Sequence, residues 1–443
     1  MGGTSHDPEG AARAPGGEER RGHASLLRRL QRLGGPGLIT GAADDDPAGI
    51  TTYSQAGAQF GFGLLWTVAF QLPLMSAVQL MCARIGRASG RDLAGVLAKY
   101  YPRWILWLAA ILLLLSNTVT AAADLDAVAA ALWILTGIPT LVFVLPVAVA
   151  IIALVTLASY DRLRSVLKWT TLALFAYVAA AFVAHADWRH VLRASVVPEV
   201  SFSGAYLYMF VAVVGTTISP YLFFWQAAEE MEEEKAAGRR TVAQRRGTSP
   251  RVLRMIRADT VTGMLVSQLI GYFVIVTTGT VLHDRGQYHI ESAQQAALAL
   301  HPLGAGLGTI LFCIGFIGTG LLAIPTLIGS ASYVLAALFG WRTGIGEKPR
   351  RARRFYQAMA AATLVAVALD FTGLSAVKLL VGSAVLSGLL APPLLVIILV
   401  VTNDKKIMAG RTNGRFENSL GILAVAIMGL SALALLVQLV TGG

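Results

Sequence analysis

The chain has 443 residues, of which 55% are hydrophobic and 14% charged, and its mean hydropathy is +0.63. A soluble protein of this length would carry nearly twice that share of charge, so the composition indicates a protein that crosses the membrane many times. The net charge of +11 is scattered between apolar segments, and we expect no nucleic-acid partner. Cys82 and Cys313 are the only cysteines, which excludes a disulfide framework and a cysteine-based metal site.

The N-terminal segment 1–34 is rich in Gly, Glu and Arg and has no apolar run, which predicts a disordered tail ending in a short amphipathic stretch. Eleven apolar segments follow, each near the roughly 20 residues that a membrane span needs. The pattern predicts an all-α polytopic membrane protein. The segments lie at 36–58, 62–83, 104–133, 139–158, 167–185, 203–228, 259–282, 305–338, 355–372, 376–401 and 418–440.

Basic residues distinguish the loops on the two sides of the membrane. With a cytoplasmic N-terminus, the external loops hold little beyond Arg189, Arg193 and Arg285. The positive-inside rule therefore predicts that the N-terminus lies in the cytoplasm and the C-terminus outside, and the high Ala and Arg usage suggests a bacterial inner membrane. The cytoplasmic loops would carry Arg84, Arg87, Arg91 and Lys99; Arg162, Arg164 and Lys168; Arg239, Arg240, Arg245, Arg246 and Arg251; Arg342, Lys348, Arg350, Arg351, Arg353 and Arg354; and Lys405, Lys406, Arg411 and Arg415.

Three carboxylates, Asp44, Asp45 and Asp46, interrupt the first apolar segment and are followed by Pro47. Each acid costs about 2.5–3.5 kcal/mol at the middle of a bilayer unless it faces water or a cation. Because the proline cannot continue a regular helix, we expect freed backbone carbonyls at the same depth, including that of Ala48. A broken helix with acids at mid-membrane is typical of a transporter's cation site.

The sixth apolar segment has a second interruption, in which Pro220 follows Thr216, Thr217 and Ser219. Alone, such a proline would more often only kink a packed helix. Paired with the acidic break five spans earlier, it favours two five-helix halves that each begin with a broken helix. An odd number of helices inverts the second half in the membrane. We therefore expect repeats at 35–185 and 203–401, followed by an eleventh helix and the C-terminus at 418–443.

Several motifs in the first six spans resemble those of the Nramp family of divalent-metal transporters. They are Gly35-Pro36-Gly37, Asp46-Pro47-Ala48-Gly49, Gln55-Ala56-Gly57-Ala58-Gln59-Phe60-Gly61, Gly90-Arg91-Asp92-Leu93-Ala94, Ala123-Asp124-Leu125, Gly137-Ile138-Pro139 and the Pro220 break. The resemblance implies a LeuT-type fold of two inverted five-helix repeats plus an eleventh helix, with helices 1 and 6 broken. It also implies a transporter in the lipid bilayer that carries a divalent metal ion by alternating access. We expect a monomer without a resident cofactor.

The chain departs from the family at the residues that bind the metal. The family uses an Asp, an Asn, a Met sulfur and an Ala carbonyl. Here the Asp is kept as Asp46, whereas Gly49 stands at the Asn position and Ser219 at the Met position. The Ala corresponds to Thr216, and a family Gln in span 10 aligns loosely with Ser383.

These exchanges change the expected metal. A thioether favours Mn²⁺ and Fe²⁺ over Mg²⁺, and Ser219 removes that preference, while Gly49 enlarges the cavity. The ligands that remain are hard oxygens, and Mg²⁺ is usually held by one or two carboxylates with several waters retained. The sequence therefore predicts transport of partly hydrated Mg²⁺, with Mn²⁺ as a further substrate, and resembles the Nramp-related magnesium transporters. The predicted site comprises Asp46, Asp45, Ser219, Thr216, Ser383, Gly49 and the carbonyl of Ala48.

Proton coupling requires titratable groups between the site and water. The two span-6 histidines of the family are replaced by Tyr221 and Gln226, and its span-3 Glu by Ala127. We therefore expect uptake without proton coupling, driven by concentration and membrane potential. Four residues stay candidates for an ion or proton pathway, namely Asp124, Asp126, Tyr221 and Glu230.

The remaining acids have simpler interpretations. We expect Asp44 to line an inner vestibule and Asp370 to lie at the membrane interface. For the run Glu229–Glu234, a solvated helix end is favoured over an exit funnel for cations, since charge runs are usually solvated faces.

Four alternatives compete with magnesium transport. An ordinary proton-coupled Mn²⁺/Fe²⁺ importer is the nearest, although the Met is missing. A transporter of organic substrates is disfavoured because clustered aspartates would repel a carboxylate. A membrane enzyme is disfavoured because the sequence contains no HExxH or GxSxG motif. A channel differs from the leading hypothesis only in its mechanism.

Overall fold

The computed structural model describes residues 35–157, 173–371 and 376–441. The predictions made for the tail 1–34, for the loop cations Arg162, Arg164 and Lys168, and for the first part of the fifth span lie outside these residues.

Helices make up most of the described chain, which contains no β-strand. Two short 3-10 turns, His283–Arg285 and Leu298–Leu303, lie between α12 and α14. In chain order the α-helices are α1 Pro36–Asp44, α2 Pro47–Phe60, α3 Leu65–Ser89, α4 Leu93–Tyr100, α5 Arg103–Thr136, α6 Thr140–Leu157, α7 Ala176–Val183, α8 Trp188–Val196, α9 Gly204–Thr217, α10 Pro220–Ala236, α11 Val242–Arg245, α12 Pro250–Val281, α13 Ala293–Ala297, α14 Ala305–Phe339, α15 Arg353–Asp370, α16 Ala376–Asn403 and α17 Arg415–Thr441.

Helical structure is found in each of the eleven predicted spans. Within the described residues, seven helical segments are each long and apolar enough to cross a membrane, and Thr140–Thr156 is apolar but shorter. The first span is divided between α1 and α2, and only the end of the fifth span, α7, is described. The prediction of an all-α membrane protein is confirmed.

The first span is broken at Asp45 and Asp46, between the end of α1 and the start of α2. Pro47 is the first residue of α2, a position where the fixed φ of proline suits the helix and the missing N–H needs no partner. Asp46 is extended (φ −69°, ψ 165°) and caps α2 by accepting a hydrogen bond from the Gly49 N–H at 2.6 Å. The proline therefore starts a helix instead of ending one.

The sixth span is broken in the same way. Helix α9 ends at Thr217, and Ile218 leaves the helical region with φ −108° and ψ 64°. Ser219 is extended (φ −79°, ψ 134°), as expected for a residue before proline, and Pro220 begins α10. The simpler interpretation, that Pro220 only kinks a continuous helix, is wrong.

Helix α1 packs along α12 and is hydrogen-bonded to it. Asp259 of α12 accepts hydrogen bonds from the N–H groups of Gly35 (3.1 Å) and Gly37 (2.7 Å), so it caps the start of α1. A side chain at Gly37 or Gly41 would collide with the backbone of α12 at Thr260 or Gly263. These glycines let the two helices approach closely and fix the depth at which α1 ends.

The broken helices lie at the centre of the bundle. Helix α2 packs against α5, α9, α12 and α16, while α5 also packs extensively against α14. The two breaks are therefore enclosed by long spanning helices. Both breaks, and the carboxylates between α1 and α2, are buried.

Several loops rich in Arg and Lys meet on one side of the bundle, which we call the basic face. It comprises the described segments 90–102, 237–249, 340–352 and 404–414. Contacts tie segment 237–249 to its neighbours: Gly247 N–H donates to the Ala88 carbonyl at the end of α3 (2.9 Å), and the Arg246 guanidinium donates to the Lys406 carbonyl (2.6 Å). The positive residues grouped by the sequence pattern are thus also grouped in space.

Candidate metal centre

The two breaks meet at Asp46. Tyr221, in the first turn of α10, donates its phenol hydroxyl to the Ala43 carbonyl at 2.7 Å and lies 3.3 Å from Asp46 Oδ2. One residue of the sixth span thus contacts both the end of α1 and the carboxylate that begins α2. Asp46 Oδ1 is engaged by the Gly49 N–H, and the side chain is buried.

Oxygen atoms surround the position where a side chain at residue 49 would begin. A Cβ atom on Gly49 would lie 3.1 Å from Asp46 Oδ1, 3.1 Å from Thr216 Oγ1 and 3.2 Å from the Asp44 carbonyl oxygen. A carboxylate, a hydroxyl and a backbone carbonyl therefore converge on this point from α1, α2 and α9. All three are hard ligands of the kind that Mg²⁺ prefers.

Asp45 has the least compensated charge near the break. It follows α1 directly, its side chain is buried, and neither of its carboxylate oxygens has a hydrogen-bond partner within the described part of the chain. A buried carboxylate without a partner is costly, so a bound cation would remove a large penalty here. Asp44 differs, because its Oδ2 accepts a hydrogen bond from Ser267 Oγ of α12 at 2.5 Å.

Asp124 of α5 reaches the first turn of α2. Its Oδ1 accepts a hydrogen bond from the Ala48 N–H at 3.1 Å, and its Oδ2 has no partner among the described residues. The side chain is buried. Two carboxylates, Asp46 and Asp124, thus bind neighbouring N–H groups at the N-terminus of α2, where the helix dipole stabilises negative charge.

Ser219 lies at the second break but turns its proton away from the acids. Its hydroxyl donates to the carbonyls of Thr216 (2.6 Å) and Gly215 (2.9 Å) at the end of α9. The oxygen keeps lone pairs that can accept. The Thr216 carbonyl, however, is not free, because the Ser219 hydroxyl caps it.

The expectation of a freed carbonyl at Ala48 is wrong. Ala48 lies inside α2, and its carbonyl accepts the Thr52 hydroxyl at 2.7 Å. The reason is the position of the break, which falls before Pro47. The open carbonyls therefore belong to the end of α1, such as that of Asp44, and not to the start of α2.

Ser383 is buried in α16, the helix that packs against α2 and α9. Its hydroxyl donates to the Leu380 carbonyl of its own helix at 2.8 Å. No contact between Ser383 and Asp46 or Thr216 is found within the described residues. Its assignment as a ligand stays a prediction.

Asp126 and Glu230 lie apart from the break. Asp126 follows Asp124 by two positions on α5, so the two side chains lie on different faces of the helix, and Asp126 acts electrostatically on Asp370 at the end of α15. Glu230 accepts hydrogen bonds from Arg87 Nε at 2.5 Å and from Gln226 Nε2 at 3.3 Å. Neither is brought into contact with Asp46.

The interpretation of Glu229–Glu234 as a solvated helix end is wrong for three of its members, because Glu229, Glu230 and Glu234 are buried. Arg87 of α3 bridges Glu230, Glu233 and Glu234. Part of the acidic run is thus paired with a basic residue about 145 positions earlier, a pairing that charge counting cannot reveal.

Two residues of α12 escaped the sequence analysis. Ser267 holds Asp44, and Asp259 caps α1. Both are polar residues in the apolar segment 259–282, and this was the available signal.

Within the described chain, no group of three or more His, Cys, Asp or Glu side chains is arranged to hold a metal. A metal at the break would therefore rely on hydroxyl, carbonyl and water oxygens as well.

A cavity of about 960 Å³ opens at the far end of α2, on the side opposite the basic face. Gln55 and Gln59 of α2 line it, together with Tyr208 of α9 and Lys378 of α16. Gln55 is nine residues from Asp46, which corresponds to roughly 13 Å along a helix. The residues that line the cavity do not include those of the two breaks, which are buried.

Comparison with known proteins places this architecture in one family. The family model described as "Natural resistance-associated macrophage protein-like" matches residues 37–438, and the chain therefore belongs to the Nramp family. Among curated proteins, the divalent metal cation transporter MntH of Yersinia pestis is 26% identical over 424 residues, covering 93% of this chain and 96% of the relative. The MntH protein of Mesorhizobium japonicum is 25% identical over 412 residues, covering 91% and 87%.

Solved structures agree with the fold. A manganese transporter of Eremococcus coleocola superposes with a TM-score of 0.72 at 18% identity, covering 92% of this chain and 87% of that one. Mhp1, a nucleobase-cation-symport-1 transporter, superposes with a TM-score of 0.56 at 12% identity, covering 91% of both chains. The predicted LeuT-type fold is confirmed. The chain is an integral membrane protein of a transporter family.

Proposed function

We propose that this protein transports divalent metal ions across the membrane and binds them between the two breaks, at Asp46. The observation that carries the proposal is the convergence of Asp46 Oδ1, Thr216 Oγ1 and the Asp44 carbonyl on one point beside Gly49. The neighbouring Asp45, whose buried carboxylate oxygens have no hydrogen-bond partner among the described residues, is a further candidate ligand. The divalent metal transporters similar to this chain over more than nine-tenths of its length support the same substrate class.

We further propose that Mg²⁺ is the main substrate and that it binds with part of its water shell. All the groups named at the break are hard oxygens, and none of the contacts found there among the described residues involves the sulfur that would favour softer metals. Gly49 supplies no side-chain ligand where the family carries an Asn, so we expect water molecules to complete the coordination. Mg²⁺ retains waters readily, whereas a site selective for Mn²⁺ gains from a thioether.

The route we propose runs from the 960 Å³ cavity along α2 to Asp46 and on to the basic face. We assign the basic face to the cytoplasm, because loops rich in Arg and Lys stay on that side. A negative interior then favours entry of a divalent ion by about 4.6 kcal/mol per 100 mV, twice the value for a single charge. Uptake driven by this potential needs no coupled proton.

The second candidate function is proton-coupled import of Mn²⁺. Asp124 favours it, since this buried carboxylate contacts the first turn of α2 and has one free oxygen that could carry a proton. The name of the Eremococcus coleocola neighbour, a manganese transporter, points the same way.

Metal flux into proteoliposomes of purified protein, with a pH dye inside, separates the two. Entry of Mg²⁺ without acidification supports the magnesium proposal. Entry of Mn²⁺ with protons, while Mg²⁺ is excluded, overturns it in favour of the second candidate. An empty-liposome control corrects for leak.

A further inference from the structure

A second polar cavity, of about 480 Å³, lies on the basic face. We call it the basic pocket. It is formed between the start of α4, the end of α10, the short helix α11 and the end of α14. Its lining includes Arg91, Lys99, Lys235, Arg245, Asp92 and Trp341. None of these residues takes part in the centre at Asp46.

Positive charge predominates in the basic pocket. Four of its lining residues are cations and one, Asp92, is an acid, whose carboxylate accepts the Gly95 N–H at 2.5 Å as the cap of α4. Lys235 is paired with Glu232 at 2.8 Å. The charges of Arg91 and Lys99 have no such partner within the described residues, and their side chains are half-buried and exposed, respectively.

Arg245 is held in place by carbonyl groups and not by acids. Its guanidinium donates to the carbonyls of Gly90 (3.1 Å), Arg239 (3.0 Å) and Arg240 (2.7 Å). Burial is the main cause that lowers the pKa of Arg245; Glu232, Asp92 and Glu234 oppose the change, and repulsion from Arg91 adds to it. Arg91 and Arg245 both line the basic pocket, and an anion bound between them would relieve their repulsion.

Aromatic residues beside the basic pocket mark the level of the membrane surface. Trp104 (65% exposed) and Trp107 (47%) project from the first turns of α5, and Phe339 (53%) from the end of α14. Trp107 and Phe339 meet edge to face at 6.1 Å, and Phe339 stacks on Trp341 of the pocket at 5.1 Å. Exposed Trp residues concentrate at the height of lipid head groups.

From this geometry we propose that the basic pocket binds the phosphate of an anionic phospholipid head group, with Arg91, Lys99 and Arg245 as its ligands. Arg245 is preorganised by its carbonyl contacts, whereas Arg91 and Lys99 supply charge at the opening. The aromatic group formed by Trp107, Phe339 and Trp341 lies where the glycerol and upper acyl chain would pass. The inference uses the orientation proposed above, because anionic lipid then faces the pocket from the cytoplasmic leaflet.

Native mass spectrometry of the full-length protein in detergent, titrated with phosphatidylglycerol or phosphatidylcholine of identical acyl chains, tests the proposal. We expect preferential binding of phosphatidylglycerol. Since each basic residue near a lipid surface contributes about fivefold in affinity, Arg91→Gln with Lys99→Gln should weaken this binding about 25-fold. Lys99→Gln alone, at an exposed side chain that folding does not need, should weaken it about fivefold.

The matched control is Arg350→Gln with Lys405→Gln, which removes the same charge from exposed positions of the basic face outside the pocket. We expect it to change binding less than twofold. Equal binding of the two lipids, or an equal loss in pocket and control variants, overturns the proposal. Displacement of the lipid by glycerol 1-phosphate at equal concentration overturns the lipid assignment in favour of a soluble phosphate. Binding is measured without transport, so a failure here is distinct from a failure of the transport proposal.

Discussion

Asp124 of α5 accepts a hydrogen bond from the backbone N–H of Ala48, 3.1 Å away in the first turn of α2. A side chain from the third span thereby fixes the start of the broken helix at the depth of the candidate metal centre. The N–H groups of the first turn have no partner inside the helix, so each needs an acceptor from elsewhere. Asp46 and Asp124 provide acceptors for two neighbouring residues, Gly49 and Ala48.

The role of Asp124 can be divided into an acceptor role and a charge role. Asp124→Asn keeps an oxygen that accepts the Ala48 N–H, whereas Asp124→Ala leaves that buried N–H unpaired. We expect the alanine variant to be less stable than the asparagine variant by about 1–3 kcal/mol, measured by thermal unfolding in detergent. If proton coupling is absent, Asp124→Asn should also retain most of the Mg²⁺ flux. Equal stability of the two variants would contradict the acceptor role.

Gly49 tests whether the ion binds where the oxygens converge beside Asp46. Gly49→Ala places a methyl group 3.1 Å from Asp46 Oδ1 and from Thr216 Oγ1, at the point that a bound ion would occupy. We expect Mg²⁺ flux to fall at least tenfold in proteoliposomes, while the protein still folds. Gly429→Ala is the control, because no atom lies within 4 Å of its new Cβ atom. Unchanged flux in Gly49→Ala would show that the ion binds elsewhere.

Ser219 is the position at which metal preference should change. Ser219→Met introduces a thioether at the second break, and a soft ligand stabilises Mn²⁺ more than Mg²⁺. We therefore expect the ratio of Mn²⁺ to Mg²⁺ flux to rise about tenfold, measured by competition in the same liposomes. Ser219→Ala, which removes the hydroxyl without adding sulfur, serves as the control. A ratio that rises equally in both variants would mean that loss of the hydroxyl, and not the thioether, sets the preference.

Arg87 pairs with the fully buried Glu230 near the end of α10. Arg87→Gln would leave this carboxylate beside a neutral group, and we expect a loss of about 3–5 kcal/mol in stability. Arg239 pairs with Glu234, but its side chain is 52% exposed. Arg239→Gln should therefore cost less than about 1 kcal/mol. Similar unfolding temperatures for the two variants would show that burial does not govern these pairs.

The breaks in helices 1 and 6 could be predicted from the sequence because they depend on local chemistry. An aspartate or serine before a proline favours a helix start, and this signal lies within a few residues. The open carbonyls lie before the proline and not after it, because Pro47 begins α2 and the Ala48 carbonyl accepts the Thr52 hydroxyl.

Contacts between distant residues were not predictable in this way. Ser267 donates a hydrogen bond to Asp44, which lies 223 positions earlier in the sequence. Arg87 pairs with Glu230, which lies 143 positions later. A charge run gives no sign of the partner that the fold brings to it. The sequence alone therefore predicts a solvated acidic end for α10, whereas in the structure Arg87 of α3 pairs with it.

The measurement that tests the central claim most directly is Mg²⁺ flux through Asp46→Ala in proteoliposomes, beside the wild type and Asp370→Asn. Asp370 is also an acid in an apolar helix, but it is the last residue of α15 and belongs to neither broken helix. We predict that Asp46→Ala abolishes flux and that Asp370→Asn transports like the wild type. Wild-type flux through Asp46→Ala would contradict the claim that the two broken helices form the metal site.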